Sequence, residues 1–366
     1  MLPLQWNIYT LPLTQQALLI YLSSVNGMKT ISRPMNFVVP FFRIIIVDYK
    51  SGPHIIRLVD ALMSQTDQDF EVVIVDNACP EGGARALTLT DKRFTILTSP
   101  VNIGFGGGCN LGAIGCEAPW LMMLNPDTVP ARNFVESVKE AIGKYPDAGI
   151  FGGTLIDASQ PNILDGFGDA LSVFGAAWSG GTGQSVDNLP DDDKIVFSVC
   201  AAAGIYNRRL YVDIGGFDER FFCYLEDLDI CWRANILGAQ IIQLVDSRCK
   251  HVRSYSTKDD SGFREFHSAR NVLWLYAKNS PLLYLPFLLA ATFGASVYLT
   301  IRGSYAGARG ERWRGLISGL VGLWRYIPSR IGTRKNRREQ YKRLSFSISE
   351  LRERVILSTP IPKSEK

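Results

Sequence analysis

The chain has 366 residues, 46% of them hydrophobic and 20% charged, which excludes a disordered or fibrous protein and predicts a large folded core. Seven cysteines without a CxxC pair indicate neither a disulfide framework nor a zinc ribbon and favour a reducing compartment. Residues 302–343 contain 12 basic and 2 acidic residues, which leaves 27 basic and 33 acidic residues elsewhere. This basic tail on an acidic body predicts contact with an anionic surface.

The first 28 residues carry no charged side chain, and residues 17–22 form a short apolar run. The basic region and small-residue cleavage site of a secretory signal are not evident there. Residues 1–35 are therefore predicted to be a loosely ordered N-terminal extension, with a membrane-touching helix as the alternative.

From residue 42 onward, short β-branched runs alternate with helical patterns. Strands are predicted at 42–48, 70–76, 93–98, 120–124 and 240–245. Helices are predicted at 54–66, 108–117, 131–144, 226–237 and 264–278, and regular structure of unspecified type at 195–206. The alternation predicts an α/β fold with a mostly parallel sheet flanked by helices. The glycine- and aspartate-rich stretch 152–193 predicts an irregular, mobile substrate loop.

Ligands of such sheets bind outside the carboxyl ends of the strands. Asp48, Asp76 and the turn Asn125-Pro126-Asp127 all fall at these ends. The glycine segment 104–110 lacks the third glycine of a dinucleotide fingerprint and follows the wrong strand, which argues against a dehydrogenase. Its glycines either form a flexible loop or allow the backbone to approach a phosphate group closely.

Three further positions carry candidate chemistry. Asp127 is either a ligand for Mg²⁺ or Mn²⁺ together with phosphate oxygens, or a helix-capping aspartate. In the acidic start of the helix 226–237, Asp229 is spaced to pair with Arg233, which leaves Asp227 available as a general base. His251 is a surface or core group unless it lies close to Asp127.

The ordered set of these residues resembles the inverting glycosyltransferases of family 2, most closely their bacterial rhamnosyltransferase-type branch. The resemblance spans roughly residues 40–280. The residues that carry it are Asp48, Asp76, Asn77, Asn102, Gly104, Phe105, Asn110, Asn125, Asp127, Glu226, Asp227, Asp229, Arg233, His251 and Ser256.

The resemblance implies a GT-A (Rossmann-like) fold, a nucleotide-diphosphate sugar donor and a divalent cation, Mg²⁺ or Mn²⁺. It assigns Asp76 to the nucleotide base, Asp127 and His251 to the metal, and Asp227 to the catalytic base. Glu226, Asp229 and Arg233 are expected to contact acceptor or donor. The nucleotide sugar is expected to contact Asp48, Asp76, Asn77, Asn102, Gly104, Asn110 and Asn125.

Residues 281–301 carry no charge and are long enough to span a bilayer, and the basic stretch follows at once. A single span would place the basic stretch in the cytosol and the catalytic domain outside, away from cytosolic nucleotide sugars. We therefore expect in-plane or re-entrant helices on an anionic membrane surface at the cytoplasmic face, with a true span or a soluble packing helix as alternatives.

The predicted organisation is an extension at 1–35, a catalytic domain at 36–265 and a membrane-associating region at 266–366. The predicted activity is transfer of L-rhamnose from dTDP-rhamnose to a lipid-linked or growing polysaccharide acceptor. UDP-galactofuranose or UDP-glucose as donor, and a non-catalytic scaffold, are the alternatives. No nucleic-acid partner is expected, because the aromatic residues of the basic tail lie in apolar surroundings.

Overall fold

The computed structural model describes residues 39–80, 82–252, 261–302 and 307–331, together with 336, 340, 342, 359 and 360. The strands are β1 Phe42–Asp48, β2 Phe70–Asn77, β3 Phe94–Ser99, β4 Trp120–Leu124, β5 Thr128–Pro130, β6 Ala148–Asp157, β7 Leu164–Gly166, β8 Asp169–Leu171, β9 Ala177–Ser179, β10 Lys194–Ile195, β11 Ala203–Asn207, β12 Gln240–His251 and β13 Thr359–Pro360. The α-helices are α1 His54–Met63, α2 Gly104–Ala113, α3 Phe134–Lys144, α4 Arg208–Asp213, α5 Glu226–Ile236, α6 Ser261–Asn279, α7 Leu285–Ile301 and α8 Arg309–Gly322.

One mixed sheet organises the domain. Its strand order is β13-β10-β12-β6-β11-β4-β1-β2-β3, with β5 added to β12 and β7 added to β6. The run β4-β1-β2-β3 is parallel, and β6 is parallel to β12, whereas β11 is antiparallel to both of its neighbours. The expected α/β fold is confirmed, and its parallel character is strongest in the first half of the chain. Asp48 and Asp76 are register partners, so their strands end level with each other.

Burial on both faces explains why these runs form central strands. Every residue of β1 is buried, as expected for a parallel strand covered by helices on both sides. Helix α1 packs one apolar stripe against the sheet, formed by Ile55, Leu58, Val59 and Leu62. The opposite face packs Ile45, Val47 and Met123 against Cys109 of α2.

The expectation of an irregular loop at 152–193 is wrong. Residues 148–157 form the central strand β6, and β8 and β9 form a separate antiparallel pair. The glycines misled the prediction because they serve packing here: a Cβ at Gly153 would lie 2.7 Å from the ring of Phe134. Two helix starts also differ, since α3 begins after the short strand β5 and α2 begins at Gly104.

The last described helices form a layer of their own. Gly315 lies against the backbone of Phe266, and Trp274 Nε1–H donates to the Gly319 carbonyl (3.0 Å), so α6 and α8 run parallel. The proposed boundary at 265/266 falls inside α6, and residues 1–35 lie outside the described residues. Within the described ranges, one helical stretch, Leu282–Ile301, is long and apolar enough to cross a membrane, and only 17% of its most apolar window is buried.

Candidate active site

A cavity of about 560 Å³ opens at the carboxyl ends of β1, β2 and β4. Most of the predicted site residues line it, namely Asn77, Asn102, Gly104, Asn125, Asp127, Glu226, Asp227 and His251. The remaining predicted residues, Asp48, Asp76, Asn110, Asp229 and Arg233, lie outside its lining. Ser256 lies outside the described residues.

Asp127 and His251 converge although 124 positions separate them in the chain. Strand β5 pairs with the end of β12, with Thr128 opposite His251, and this pairing carries the imidazole to Asp127. His251 Nε2 lies 3.4 Å from Asp127 Oδ1, and both side chains are buried. Nε2 itself has no hydrogen-bond partner within the described ranges.

A third group, Asp165, completes this cluster and was missed from the sequence. Its Oδ2 lies 2.7 Å from His251 Nδ1, on the side of the ring away from Asp127. Burial disfavours a charged ring, but the two carboxylates outweigh it and raise the pKa of His251 to about 9. Asp165 lies on β7, which pairs with β6 only in the folded sheet, so no local pattern marked it.

The first two residues of α5, Glu226 and Asp227, also contribute carboxyl groups to the lining. The Leu228 backbone N–H donates to Asp227 Oδ1 (2.8 Å), while burial raises the pKa of Asp227. Glu226 is 6% exposed, and burial together with the charge of Asp227 raises its pKa to about 8. Glu226 Oε2 has no hydrogen-bond partner in the described part of the chain.

Another group near Asp227 has spacing compatible with a metal. Ligand atoms of Asp169, Cys200 and Asp227 lie within 4.8 Å of one another. Burial raises the pKa of Cys200 well above its ordinary value, so the sulfur stays a thiol and is a poor ligand. Asp127 and His251 therefore remain the better candidates for a metal.

Asp229 and Arg233 form the expected pair and face away from the cavity. Arg233 Nε–H donates to Asp229 Oδ2 (2.8 Å), Lys278 Nζ donates to the same oxygen (2.9 Å), and Asn279 Nδ2 donates to Oδ1 (2.9 Å). Burial opposes ionisation of Asp229, but Arg233 and Lys278 outweigh it and lower its pKa. The pair lies outside the cavity lining and ties α5 to α6, and its expected contact with acceptor or donor stays a prediction.

The acids that end β1 and β2 are also enclosed. Ser51 Oγ–H donates to Asp48 (2.5 Å), and the Cys79 backbone N–H donates to Asp76 (2.9 Å). Arg85 Nε lies 2.5 Å from Asp76 Oδ2, which is fully buried. A nucleotide base could reach Asp76 only if Arg85 moved or took part in binding.

An asparagine network braces the start of α2. Asn77 Nδ2 donates to Asn102 Oδ1 (2.9 Å), which also accepts the backbone N–H of Gly104 (2.9 Å). Gly104 has φ +76°, and a Cβ there would lie 2.3 Å from the Phe222 carbonyl oxygen, so only glycine fits. Asn110, farther along α2, donates from Nδ2 to the Phe217 carbonyl (2.9 Å). This hydrogen bond connects α2 to the segment before α5.

That segment has a strained backbone. Phe222, Tyr224 and Leu225 have φ values of 66°, 70° and 67°, each costing about 1–3 kcal/mol for a bulky side chain. Asn271 of α6 holds the segment in place: its Nδ2 lies 3.0 Å from the Phe221 carbonyl oxygen, 2.8 Å from that of Cys223 and 2.7 Å from that of Tyr224.

Comparison with known proteins adds an independent observation. Residues 43–163 match the model of glycosyl transferase family 2. The chain carries a family 2 glycosyltransferase domain. It is similar to the N-acetylglucosaminyl-diphospho-decaprenol L-rhamnosyltransferase of Mycobacterium tuberculosis, at 23% identity over 73% of this chain and 94% of that protein.

Two solved structures share the fold of this family 2 domain. The first is GalNAc-T7 with UDP, GalNAc and Mn²⁺. It superposes with a TM-score of 0.56 at 13% identity, and the match covers 81% of this chain and 57% of that one. The second is the mannosyltransferase PcManGT of Pyrobaculum calidifontis in complex with GDP-Man and Mn²⁺. It superposes with a TM-score of 0.50 at 15% identity, and the match covers 86% of this chain and 99% of that one. The fold is GT-A, and the chain is rhamnosyltransferase-like.

The family 2 match includes β1, β2 and β4, with Asp48, Asp76 and Asn125 at or next to their carboxyl ends, and it includes Asp127. It ends at residue 163, before Asp165, Asp227 and His251. These later residues reach the cavity through β7, α5 and β12, so the second half of the sheet completes the site.

Proposed function

We propose that this protein is a metal-dependent, inverting glycosyltransferase that moves L-rhamnose from dTDP-rhamnose to a lipid-linked or growing polysaccharide acceptor. The carrying observation is that Asp127, His251 and Asp227 all line one cavity. The rhamnosyltransferase similarity supports the choice of sugar. UDP-galactofuranose or UDP-glucose would require the same chemistry and are the alternative donors.

The residues present fit a divalent cation. His251 Nε2 is buried without a hydrogen-bond partner among the described residues and lies beside a carboxylate oxygen of Asp127. Carboxylate oxygens suit Mg²⁺ and Mn²⁺, and His251 can join them if its ring, protonated at neutral pH without the metal, releases the proton on binding. When bound, the cation would neutralise charge that develops on the departing diphosphate.

The protein's own residues supply the rest of the reaction. Asp227 accepts the proton of the attacking acceptor hydroxyl, and its raised pKa makes it a stronger base than an exposed aspartate. Attack at the anomeric carbon from one face, with the diphosphate leaving from the other, inverts the configuration. Asp165 holds the imidazole of His251 through Nδ1, so that Nε2 faces Asp127.

A lipid-linked acceptor is supported by the name of the mycobacterial relative and by the surface of α7 and α8. Exposed apolar residues cover this surface, which we call the apolar face: Leu283, Phe287, Val297, Tyr298, Ile301, Ile317, Leu320, Val321 and Trp324. Arg302, Arg309 and Arg314 flank it and are exposed. We propose that the apolar face lies in the plane of an anionic membrane at the cytoplasmic side.

The decisive experiment incubates the purified full chain with dTDP-rhamnose, UDP-galactofuranose or UDP-glucose, Mn²⁺ or Mg²⁺, and an alkyl diphospho-N-acetylglucosamine acceptor. We expect transfer from dTDP-rhamnose that EDTA abolishes and Mn²⁺ or Mg²⁺ restores. Asp127→Ala should lose this metal-dependent turnover, and Asp157→Asn, opposite His251 in the β6–β12 register, serves as the control. A chain that neither transfers nor hydrolyses any of the three donors would instead be a non-catalytic scaffold.

Membrane docking has its own test, with vesicles of phosphatidylglycerol or of phosphatidylcholine. The full chain should co-sediment with the anionic vesicles, and Val297→Glu with Val321→Glu should weaken this, because both charges would enter the hydrocarbon boundary. Ile56→Glu, an exposed position on α1, is the matched control. Equal binding of the double variant and the control would refute the apolar face as the docking surface.

A further inference from the structure

One wall of the cavity is aromatic and has no role in the donor or metal chemistry above. Phe222, Tyr224 and Phe263 all line the cavity, and we call them the aromatic wall. The ring centroids of Phe222 and Phe263 are 6.3 Å apart, and those of Tyr224 and Phe263 are 6.1 Å apart. His267 stacks behind them, 5.5 Å from Phe222 and 4.3 Å from Phe263.

The backbone keeps these rings at the cavity at a cost in free energy. Phe222 and Tyr224 both have positive φ, which bulky residues rarely adopt. The carbonyl groups of this segment are held by Asn271, and the Phe222 carbonyl also accepts the backbone N–H of Phe105 (2.7 Å). Strain that the surrounding structure maintains in this way points to a function at the site.

The aromatic wall directly precedes the proposed base. Tyr224 is three residues before Asp227, and the intervening Leu225 begins the cap of α5. A ligand stacked on these rings would lie beside the group that takes its proton. The donor's nucleotide is expected near Asn77 and Asn102 at the ends of the parallel strands, and Gly104 connects this part of the lining to the Phe222 backbone.

The aromatic wall and part of the apolar face lie at the same end of the helical layer. Phe263 is in the first turn of α6, and Arg312 joins the neighbouring Glu265 (3.1 Å) to Ser296 of α7 (3.1 Å). Ser296 directly precedes the exposed Val297 and Tyr298. An acceptor with a sugar head and an apolar tail could therefore reach both surfaces.

We propose that the aromatic wall is the acceptor subsite, and that it binds a pyranose ring by stacking the ring's apolar C–H face on Phe222, Tyr224 and Phe263. This inference rests on the proposed glycosyltransferase function and names the residues that select its acceptor. Rings supply a large apolar contact at small cost in side-chain entropy. The ligand is thus a saccharide with an apolar carrier.

The test measures acceptor KM, donor KM and the share of dTDP-rhamnose lost to water, with the alkyl diphospho-N-acetylglucosamine as acceptor. Phe222→Leu, Tyr224→Leu and Phe263→Leu keep an apolar side chain of moderate size but remove the ring. Phe266→Leu is the matched control, because this ring packs on His267 (5.1 Å) but does not line the cavity. Thermal unfolding identifies the variants that fold, and any one of the three decides the outcome.

We expect the three wall variants to raise acceptor KM about fivefold or more and to increase the share of donor lost to water. Phe266→Leu should match the unmodified chain in both quantities. Equal acceptor KM in the wall variants and the control would overturn the inference while leaving the proposed function intact. A rise in donor KM alone would assign the rings to the nucleotide instead, and a chain without donor turnover would refute the proposed function itself.

Discussion

Two groups of acids on the first turn of α5 differ in how their charges are balanced. Glu226 and Asp227 line the cavity, where burial raises both pKa values. Asp229, two residues later, is fully buried between Arg233 and Lys278, and its pKa is lowered.

The difference shows that carboxyl groups of one short segment serve either structure or the site, depending on the cations around them. Where cations surround the carboxylate, the charge is satisfied and the group ties elements together. Lys278 extends this balanced cluster to Asp218 (2.7 Å), so it reaches from α5 across α6 to the segment after α4. Where cations are lacking, the carboxyl groups retain affinity for a proton or a metal, which is what catalysis uses.

Asp227→Asn gives the largest expected effect. It removes the proton acceptor and keeps the side chain's shape, so turnover should fall by about 10² to 10⁴-fold. Donor affinity, measured separately by the thermal shift with dTDP-rhamnose, should change little, because Asp227 is assigned to the acceptor hydroxyl. An active Asp227→Asn together with an inactive, fully stable Asp229→Asn would reverse the two assignments.

Asp229→Asn should mainly cost stability. Loss of the carboxylate leaves Arg233 buried without an anionic partner and Lys278 with Asp218 alone, which costs about 3–5 kcal/mol in the free energy of unfolding. Urea unfolding measures this cost, and turnover per folded molecule should fall far less than in Asp227→Asn. An unchanged free energy of unfolding would show that the Asp229 carboxylate is not needed to neutralise Arg233 and Lys278.

The same variant carries a pH signature with a defined sign. The folded-state pKa of Asp229 lies below its ordinary value of 3.8, so its contribution is present above that pH and is lost as pH falls through the folded pKa. Asp229→Asn should therefore make the acid part of the stability curve flatter. A curve as steep as that of the unmodified chain would contradict this.

Asp165→Asn should weaken metal binding by about 10- to 100-fold, as expected when the group that orients a histidine ligand is lost. Titration of Mn²⁺, with free ion followed by electron paramagnetic resonance, measures this without any turnover. Asp157→Asn is the control, because Asp157 lies opposite His251 in register but accepts the Ser159 backbone N–H (2.7 Å). Equal Mn²⁺ affinity in the two variants would remove Asp165 from the site.

Glu226→Gln gives the smallest effect, seen only as pH changes. The pKa of Glu226 rises from 4.5 to about 8 in the folded state, so its stabilising contribution is complete below pH 4.5 and is lost as pH rises through 8. Glutamine stays neutral, so the variant's melting temperature should exceed that of the unmodified chain by more at pH 9 than at pH 6. A constant difference would mean that Glu226 is already ionised at pH 6.

The sequence predicted those features that depend on neighbouring residues. The buried runs 42–48 and 120–124 match β1 and β4, and the i,i+4 spacing of Asp229 and Arg233 correctly indicated their pair. Asp165 and the strand β6 were missed because long-range pairing defines them, and because glycines that allow close packing look like loop glycines. The roles of the site residues stay predictions.

Helix α2 has a consequence for how the protein is made. Four of its first five residues are glycine, each about 0.8–1.0 kcal/mol less favourable in a helix than alanine, so it depends on partners that arrive later. The Asn110 side chain bonds to the Phe217 carbonyl, and the Phe105 backbone N–H bonds to the Phe222 carbonyl. The strained segment around Phe222 is in turn held by hydrogen bonds from Asn271. At about 5–20 residues per second, a ribosome finishes β4 roughly 7 to 30 seconds before it supplies Asn271. The four parallel strands are therefore complete well before the chain can close the cavity beside α2, and closure of the cavity comes late in synthesis.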